Sequence, residues 1–171
     1  MDDVEIVDYD PRWPLLFDQE ATRLRAVLDP SLIVGLAHFG STAIPGLSAK
    51  PIIDILIAVR SLAAARASFV QALRKLDYVH WADNPKQDRM FFVKGMPPFG
   101  SKRSHHVHVT EPQGEMWQRL AFRDYLRAHP EEAATYARLK GRLASDHRAD
   151  REAYTDAKSA YVESVMRKTS R

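Results

Sequence analysis

Apolar positions recur along this chain with two periods, and the switches between them mark out its elements. Val4 to Val7 alternates briefly, Asp10-Pro11 signals a helix start, and Trp13, Leu16, Phe17, Leu24, Val27 and Leu28 then return at helical spacing as far as Asp29-Pro30. Ile33 to Phe39 is apolar and rich in β-branched residues and stops at Gly40, the pattern of a strand. Pro51 to Val59 reads as a second strand, after which Ser61 caps a helix with Leu62, Phe69, Leu73 and Leu76 on one stripe. Met90 to Val93 and His105 to Thr110 read as further strands. The run GMPPFGSKRS between them is too long for a tight turn and is either a mobile lid or a disordered connection. From Gly114 onward the spacing is helical: Trp117, Leu120 and Ala121, then Tyr136, Leu139 and Leu143, then Tyr154, Tyr161 and Val165. Pro130 opens one of these helices, and Asp146 to Asp150 separates two others. The predicted fold class is α+β, a mixed sheet flanked by helices with a helical C-terminal third.

Composition narrows this picture only slightly. With 171 residues one ordinary domain, 1–171, is expected, and 45% apolar with 27% charged residues is the make-up of a globular chain. The excess of 25 basic over 22 acidic residues is too small to imply nucleic-acid binding. The absence of cysteine removes disulfides and thiolate ligands, so a metal would need oxygen and imidazole donors, and a cytoplasmic location is expected. The start MDDVEIVDYD is acidic and lacks the apolar core of a secretory signal. The longest apolar run, Ile52 to Val59, is too short to span a bilayer and contains Asp54, so no membrane association is expected. The basic residues Arg167, Lys168 and Arg171 read as a frayed helix end.

The candidate chemistry lies in AHFGSTAIPGLSAKPIIDILIAV, residues 37–59. Gly40-Ser41 leaves a strand as a turn whose backbone N–H groups and hydroxyl suit phosphate oxygens, although most Gly-Ser pairs are ordinary turns. Alternation puts Asp54, Leu56 and Ala58 on one face and Ile53, Ile55 and Ile57 on the other. A carboxylate in such a run needs a partner, either an arginine in a structural ion pair or a hard divalent cation. Lys50, at the mouth of the loop, is a point charge for a phosphate or simply solvated. His106 and His108, two apart in SHHVHVT, share one face, while His105 and Val107 share the other. Two such imidazoles are polar surface or, with Asp54, a two-histidine, one-carboxylate site for Zn²⁺, Mn²⁺ or Fe²⁺. Arg103 and Arg123 are open to anions, Asp124 and Arg127 are spaced to pair with each other, and Lys140 and Lys158 read as a charged solvent face.

Together HFGSTAIPGLSAKPIIDILI, RSHHVHVT, FRDYLRAHPEEAATYARLK and the helix from Tyr154 resemble the GrpB family, with its G-S-T-A-x-P-G-L…K-P-x-I-D core and H-x-H-V strand, over nearly the whole chain. The resemblance implies the nucleotidyltransferase superfamily fold, in which a strand ends in a Gly-Ser turn and the next strand carries two metal-binding acids one residue apart, with a third acid on a later strand. Two Mg²⁺ ions bound by such acids clamp the entering and leaving oxygens of an in-line transfer. Mapped here, Gly40 and Ser41, with Thr42 beside them, match the turn, and Asp54 matches the first acid. The second acid is replaced by Leu56, and His106 and His108 stand where the third is expected. GrpB-like domains also occur fused to dephospho-coenzyme A kinase, which points to nucleotide or coenzyme A metabolism.

The resulting expectation is metal-assisted transfer of a nucleotidyl group from a nucleoside triphosphate to a small molecule. Asp54, His106 and His108 would hold Mg²⁺, Mn²⁺ or Zn²⁺, and Gly40, Ser41, Thr42, Lys50, Arg103 and Arg123 would hold the nucleotide. Two alternatives remain open at this point: a non-catalytic module for a nucleotide or phosphorylated metabolite, and a metal-dependent phosphoester hydrolase.

Overall fold

A computed structural model describes residues 4–170; the first three residues of the acidic start and Arg171 of the basic tail lie outside the described residues. Helix α1 (Trp13–Val27) begins where Asp10 accepts a hydrogen bond from the Arg12 N–H. Strand β1 (Ile33–Phe39) leads through Gly40 into a short 3₁₀ turn (Ser41–Ala43), and β2 (Ile53–Val59) follows. Helix α2 (Leu62–Arg74) is capped by the Ser61 hydroxyl, which accepts from the Ala64 N–H, and by Glu111 from across the fold, which accepts from the Leu62 N–H. Then come β3 (Tyr78–His80), β4 (Arg89–Lys94), β5 (His105–Thr110), α3 (Glu115–Ala128), α4 (Pro130–Asp146) and α5 (Arg151–Thr169).

The expected α+β class is what the structure shows: a five-stranded mixed sheet in the order β1-β2-β5-β4-β3 with helices on its faces. The β2–β5 pair is parallel and the other pairs are antiparallel. One face buries Ile53, Ile55, Ile57, Val59, Met90, Phe92, Val107 and Val109 against Trp13 and Leu24 of α1 and Phe69 and Leu73 of α2. On the other face Leu56 and Phe39 pack under Met116 of α3. Each fully buried aliphatic side chain contributes roughly 1.5–3 kcal/mol, so the first face carries most of the apolar stabilisation.

Three features add to or depart from the sequence expectation. The three-residue strand β3 was not foreseen, because it is too short to show alternation and follows Asp77, whose φ is +66°. Residues 95–104, expected as a mobile lid or a disordered connection, carry backbone hydrogen bonds of their own: the Ser104 N–H donates to the Lys94 carbonyl and the Phe99 N–H to the Met96 carbonyl. Gly95 is needed there, since at φ +90° a Cβ would stand 2.1 Å from the Lys102 carbonyl oxygen. Arg167 and Lys168 are not frayed; they sit in the last turn of α5, and Lys168 pairs with Glu132 of α4.

Glu20, on α1, is completely buried and accepts from Lys94 (2.8 Å), Tyr78 (2.9 Å) and Arg23 (3.0 Å). Burial opposes its charge, but the hydrogen bonds from Lys94 and Arg23 outweigh that and hold the carboxyl below its usual range. A carboxyl lowered in the folded state contributes stability that is complete above its unfolded value of 4.5 and is lost as pH falls through the lower folded value. The urea midpoint of the wild type should therefore fall as pH drops below about 4.5, and Glu20→Gln should flatten that fall while lowering stability at neutral pH. Parallel pH curves for the two proteins would contradict this account of Glu20.

Candidate functional site

The parallel pairing of β2 with β5 sets the site. In that register Asp54 stands beside His106 and Leu56 beside His108, so the acid and both imidazoles project from one face of neighbouring strands. The His106 Nδ1 lies 3.2 Å and the His108 Nε2 3.7 Å from the Asp54 Oδ1, and ligand atoms of the three residues all fall within 4.8 Å of one another. Phe91 of β4 flanks both imidazoles, with ring centroids 5.1 Å from His106 and 4.8 Å from His108. Gly40 makes room for the acid: its φ is +73°, and a Cβ there would meet the Asp54 Oδ2 at 2.7 Å.

Burial alone would raise the Asp54 carboxyl, but the imidazoles of His106 and His108 outweigh it and hold the group well below the usual carboxylate range. Burial lowers the His106 imidazole, so at neutral pH an ionised Asp54 accepts from the Nδ1–H of a neutral His106. The other nitrogen of His106, Nε2, is then a buried lone pair with no hydrogen-bond partner among the described residues. A divalent cation with bonds of about 2.0–2.2 Å holds adjacent ligand atoms roughly 3–3.5 Å apart. The separations of 3.2 and 3.7 Å from the Asp54 Oδ1 fit such an ion, which would take the Nδ1 lone pair of His106 in the tautomer that carries its proton on Nε2.

Beside this cluster, at the N-terminal ends of β2 and β5, opens a cleft of about 570 Å³ lined by Lys50, Ile52, Lys102, Arg103, Arg148 and Arg151 among others, with Glu5 facing Lys102. Lys50 is not simply solvated. Its Nζ sits 4.9 Å from the ring centroid of Tyr154, over which Lys158 also stands at 5.2 Å. The Tyr154 side chain is fully buried, and its hydroxyl has no hydrogen-bond partner among the described residues. Lys140 corrects the expected solvent face: only 1% exposed, it donates to the Ser48 carbonyl at 2.5 Å and lies over Tyr136. The signal was present, since Tyr136, Lys140 and Ala144 stand four apart on one buried stripe.

The remaining candidate residues fall in different places. Thr42 is 1% exposed, and its hydroxyl pairs with the buried His38 and the Ile52 carbonyl, which makes it part of the framework of the turn. Ser41 is half-buried at the start of the 3₁₀ turn. Arg123 is not among the residues lining the cleft; it donates to the His38 carbonyl at 2.7 Å and pairs with Asp124. The expected Asp124–Arg127 pair is thus replaced, and Arg127 instead donates to the Ala43 carbonyl at 2.8 Å. Arginines were read as anion forks or helix-surface partners, whereas these two clamp the backbone on either side of Gly40. Sequence reasoning also missed Arg148 and Arg151, which line the cleft from the α4–α5 junction and the start of α5, and Tyr154 on α5, whose ring lies under Lys50.

Burial, reinforced by the charges of Lys158 and Arg151, pushes the Lys50 amine down to about 7. In an NMR titration of isotope-labelled lysines, one signal that is missing from Lys50→Met should titrate near neutrality. Lys158→Ala should move it upward. A set of lysines that all titrate together in the ordinary range, about 10.4, would contradict the burial of Lys50.

Comparison with known proteins gives a consistent picture. The family described as GrpB protein matches residues 3–168. The chain is 47% identical over 166 residues to a UPF0157 protein of Pseudomonas aeruginosa, spanning 96% of this chain and 67% of that one. It is 40% identical over 169 residues to the UPF0157 protein YqkA of Bacillus subtilis, spanning 98% of this chain but only 48% of that one. A dephospho-CoA kinase of Mycolicibacterium paratuberculosis is 30% identical over 188 residues, with 46% of its length covered. The crystal structure of GrpB from Enterococcus faecalis superposes with a TM-score of 0.85 at 31% identity, covering 96% of each chain. Cid1 in complex with its short product ApU superposes with a TM-score of 0.50 at 12% identity over 79% of this chain and 40% of that one, a likeness of fold alone. The fold is shared with the Enterococcus faecalis GrpB structure, and the chain belongs to the GrpB family.

Proposed function

We propose that this chain binds a nucleoside triphosphate with a divalent cation and transfers its nucleotidyl group to a nucleophilic atom of a small molecule, the α–β phosphoanhydride bond breaking and pyrophosphate leaving. The observation that carries the reading is the Asp54, His106 and His108 cluster directly beside a cleft lined by Lys50, Lys102, Arg103, Arg148 and Arg151. The cluster offers one carboxylate and two imidazoles, a donor set that suits Mn²⁺ or Zn²⁺ better than Mg²⁺. When bound there, such an ion supplies Lewis-acid polarisation of a phosphoryl oxygen.

The chain's own residues account for the rest. Lys50 and Arg103 neutralise phosphate charge as the triphosphate enters the cleft. The Ser41 hydroxyl and the first N–H groups of the 3₁₀ turn are donors for phosphate oxygens. Asp54 and Phe91 fix the orientation of the imidazoles, while Gly40 keeps the approach to Asp54 clear of a side chain. The nucleotide nature of the ligand is also supported by the fold likeness to Cid1 and by the relative named dephospho-CoA kinase.

A second reading, binding without transfer, is favoured by Leu56. The same-face neighbour of Asp54 is fully buried and apolar, so a second carboxylate of the two-metal kind is missing from β2. Calorimetry with Mn²⁺ and a labelled nucleoside triphosphate, followed by product analysis with a metabolite mixture, separates the two. Transfer should require metal and disappear in Asp54→Asn, which should also bind Mn²⁺ more than about tenfold less tightly. Tight nucleotide binding that ignores chelator, with no labelled product, would replace the first reading by the second. Metal affinity unchanged in Asp54→Asn would overturn the metal assignment.

A further inference from the structure

Among the described residues five large apolar side chains are notably exposed: Leu15, Leu16, Val34, Trp81 and Phe99. Leu15, Leu16 and Val34 lie on α1 and β1, and Phe99 lies in the loop after β4. Trp81 differs from all of them in what it adjoins. It extends the β3–β4 ladder by one residue, its N–H donating to the Phe91 carbonyl at 2.9 Å, and Phe91 in turn pairs with His108 in register. Trp81, Phe91 and His108 therefore stand on one rung and one face of the sheet, two residues along from the rung of His106 and Asp54 and on the same face as both. Their rings touch in sequence, Trp81 to Phe91 at 5.7 Å with the planes at 71°, and Phe91 to His108 at 4.8 Å.

An indole that is half exposed, at 50%, on the outermost strand of the sheet leaves a large apolar plane facing solvent. Along the sheet face the Asp54 cluster stands between this plane and the cationic cleft: the cleft residues Ile52 and Arg103 lie just before β2 and β5, and the aromatic rung lies beyond Asp54 and His106 on the same face, reached through Phe91 of β4. A nucleotide is built in the same order, with charged phosphates at one end, a ribose, and a planar base at the other. We propose that Trp81 and Phe91 form a stacking shelf for the nucleobase of the nucleotide whose phosphates enter the cleft, a proposal that rests on the nucleotide reading above. Stacking on an aromatic plane requires no hydrogen-bond readout, so the shelf accepts a purine or a pyrimidine. Phe91 also supports the imidazoles, which makes Trp81 the residue that can be changed without touching the cluster.

The test compares adenosine triphosphate with inorganic tripolyphosphate, both with Mn²⁺, by calorimetry on wild type, Trp81→Ala and Trp81→Phe. Trp81→Ala should weaken the nucleotide at least about fivefold, leave tripolyphosphate unchanged, and be largely rescued by Trp81→Phe. Nucleotide affinity unchanged in Trp81→Ala overturns the shelf, as does an equal loss for both ligands. If tripolyphosphate fails to bind even the wild type, the cleft reading falls, and adenosine alone then decides the shelf. Quenching of indole fluorescence by adenosine that is lost in Trp81→Phe supports it, and the absence of quenching assignable to Trp81 overturns it.

Discussion

The rest of the site depends on how an ionised carboxylate is accommodated in β2. Ile53, Leu56, Ile57 and their neighbours bury that strand almost completely, and a charge among them costs several kcal/mol unless it is met by donors. Three local choices meet that cost for Asp54. Gly40 removes the side chain that would collide with the carboxylate, parallel pairing brings His106 to its flank, and side-chain accessibility of 27% leaves one side open. Because β2 and β5 run parallel and their partners are distant in sequence, the arrangement exists only once the sheet is complete. The site is therefore a product of the fold rather than of any one loop.

The helical C-terminal third supplies the opposite charge. Lys140 and Lys158 come from α4 and α5, and Arg148 and Arg151 from their junction, converging on the region where Lys50 and Arg103 arrive from the sheet side. Gathering like charges in partly desolvated positions is unfavourable, and the depressed amines of Lys50 and Lys140 are its direct expression. The faces of Tyr154 and Tyr136 offset part of the repulsion through their ring quadrupoles. An anionic ligand would offset far more.

What was legible in the sequence follows from range. Period-two alternation placed Asp54 on one face and Ile53, Ile55 and Ile57 on the other, and placed His106 and His108 together opposite Val107. That sufficed to nominate the three clustered residues, because each lies on a strand long enough to show its period. Glu20 escaped notice because a glutamate on an amphipathic helix normally faces water, and only Lys94 and Tyr78, far along the chain, make its burial tolerable. Arg123 and Arg127 bond carbonyls of residues more than eighty positions away, contacts that no local pattern encodes. Arg148, Arg151 and Tyr154 were missed for the same reason, and β3 because three residues carry no period.

Leu56 bears on how far the chain departs from a two-acid site. It is fully buried, packed with Phe39 beneath Met116, and flanked by the partly buried Trp117 and Leu120. An aspartate at this position would place a second charge under α3, among the apolar side chains of Phe39, Met116, Trp117 and Leu120. The single acid is thus tied to the way α3 closes the sheet. His108, beside Leu56 in register, sits at the edge of that same apolar layer against Phe39, where a neutral imidazole can offer a lone pair at a far smaller desolvation cost than a carboxylate. Offering imidazole beside Asp54 and covering the second position with α3 are two sides of one packing solution.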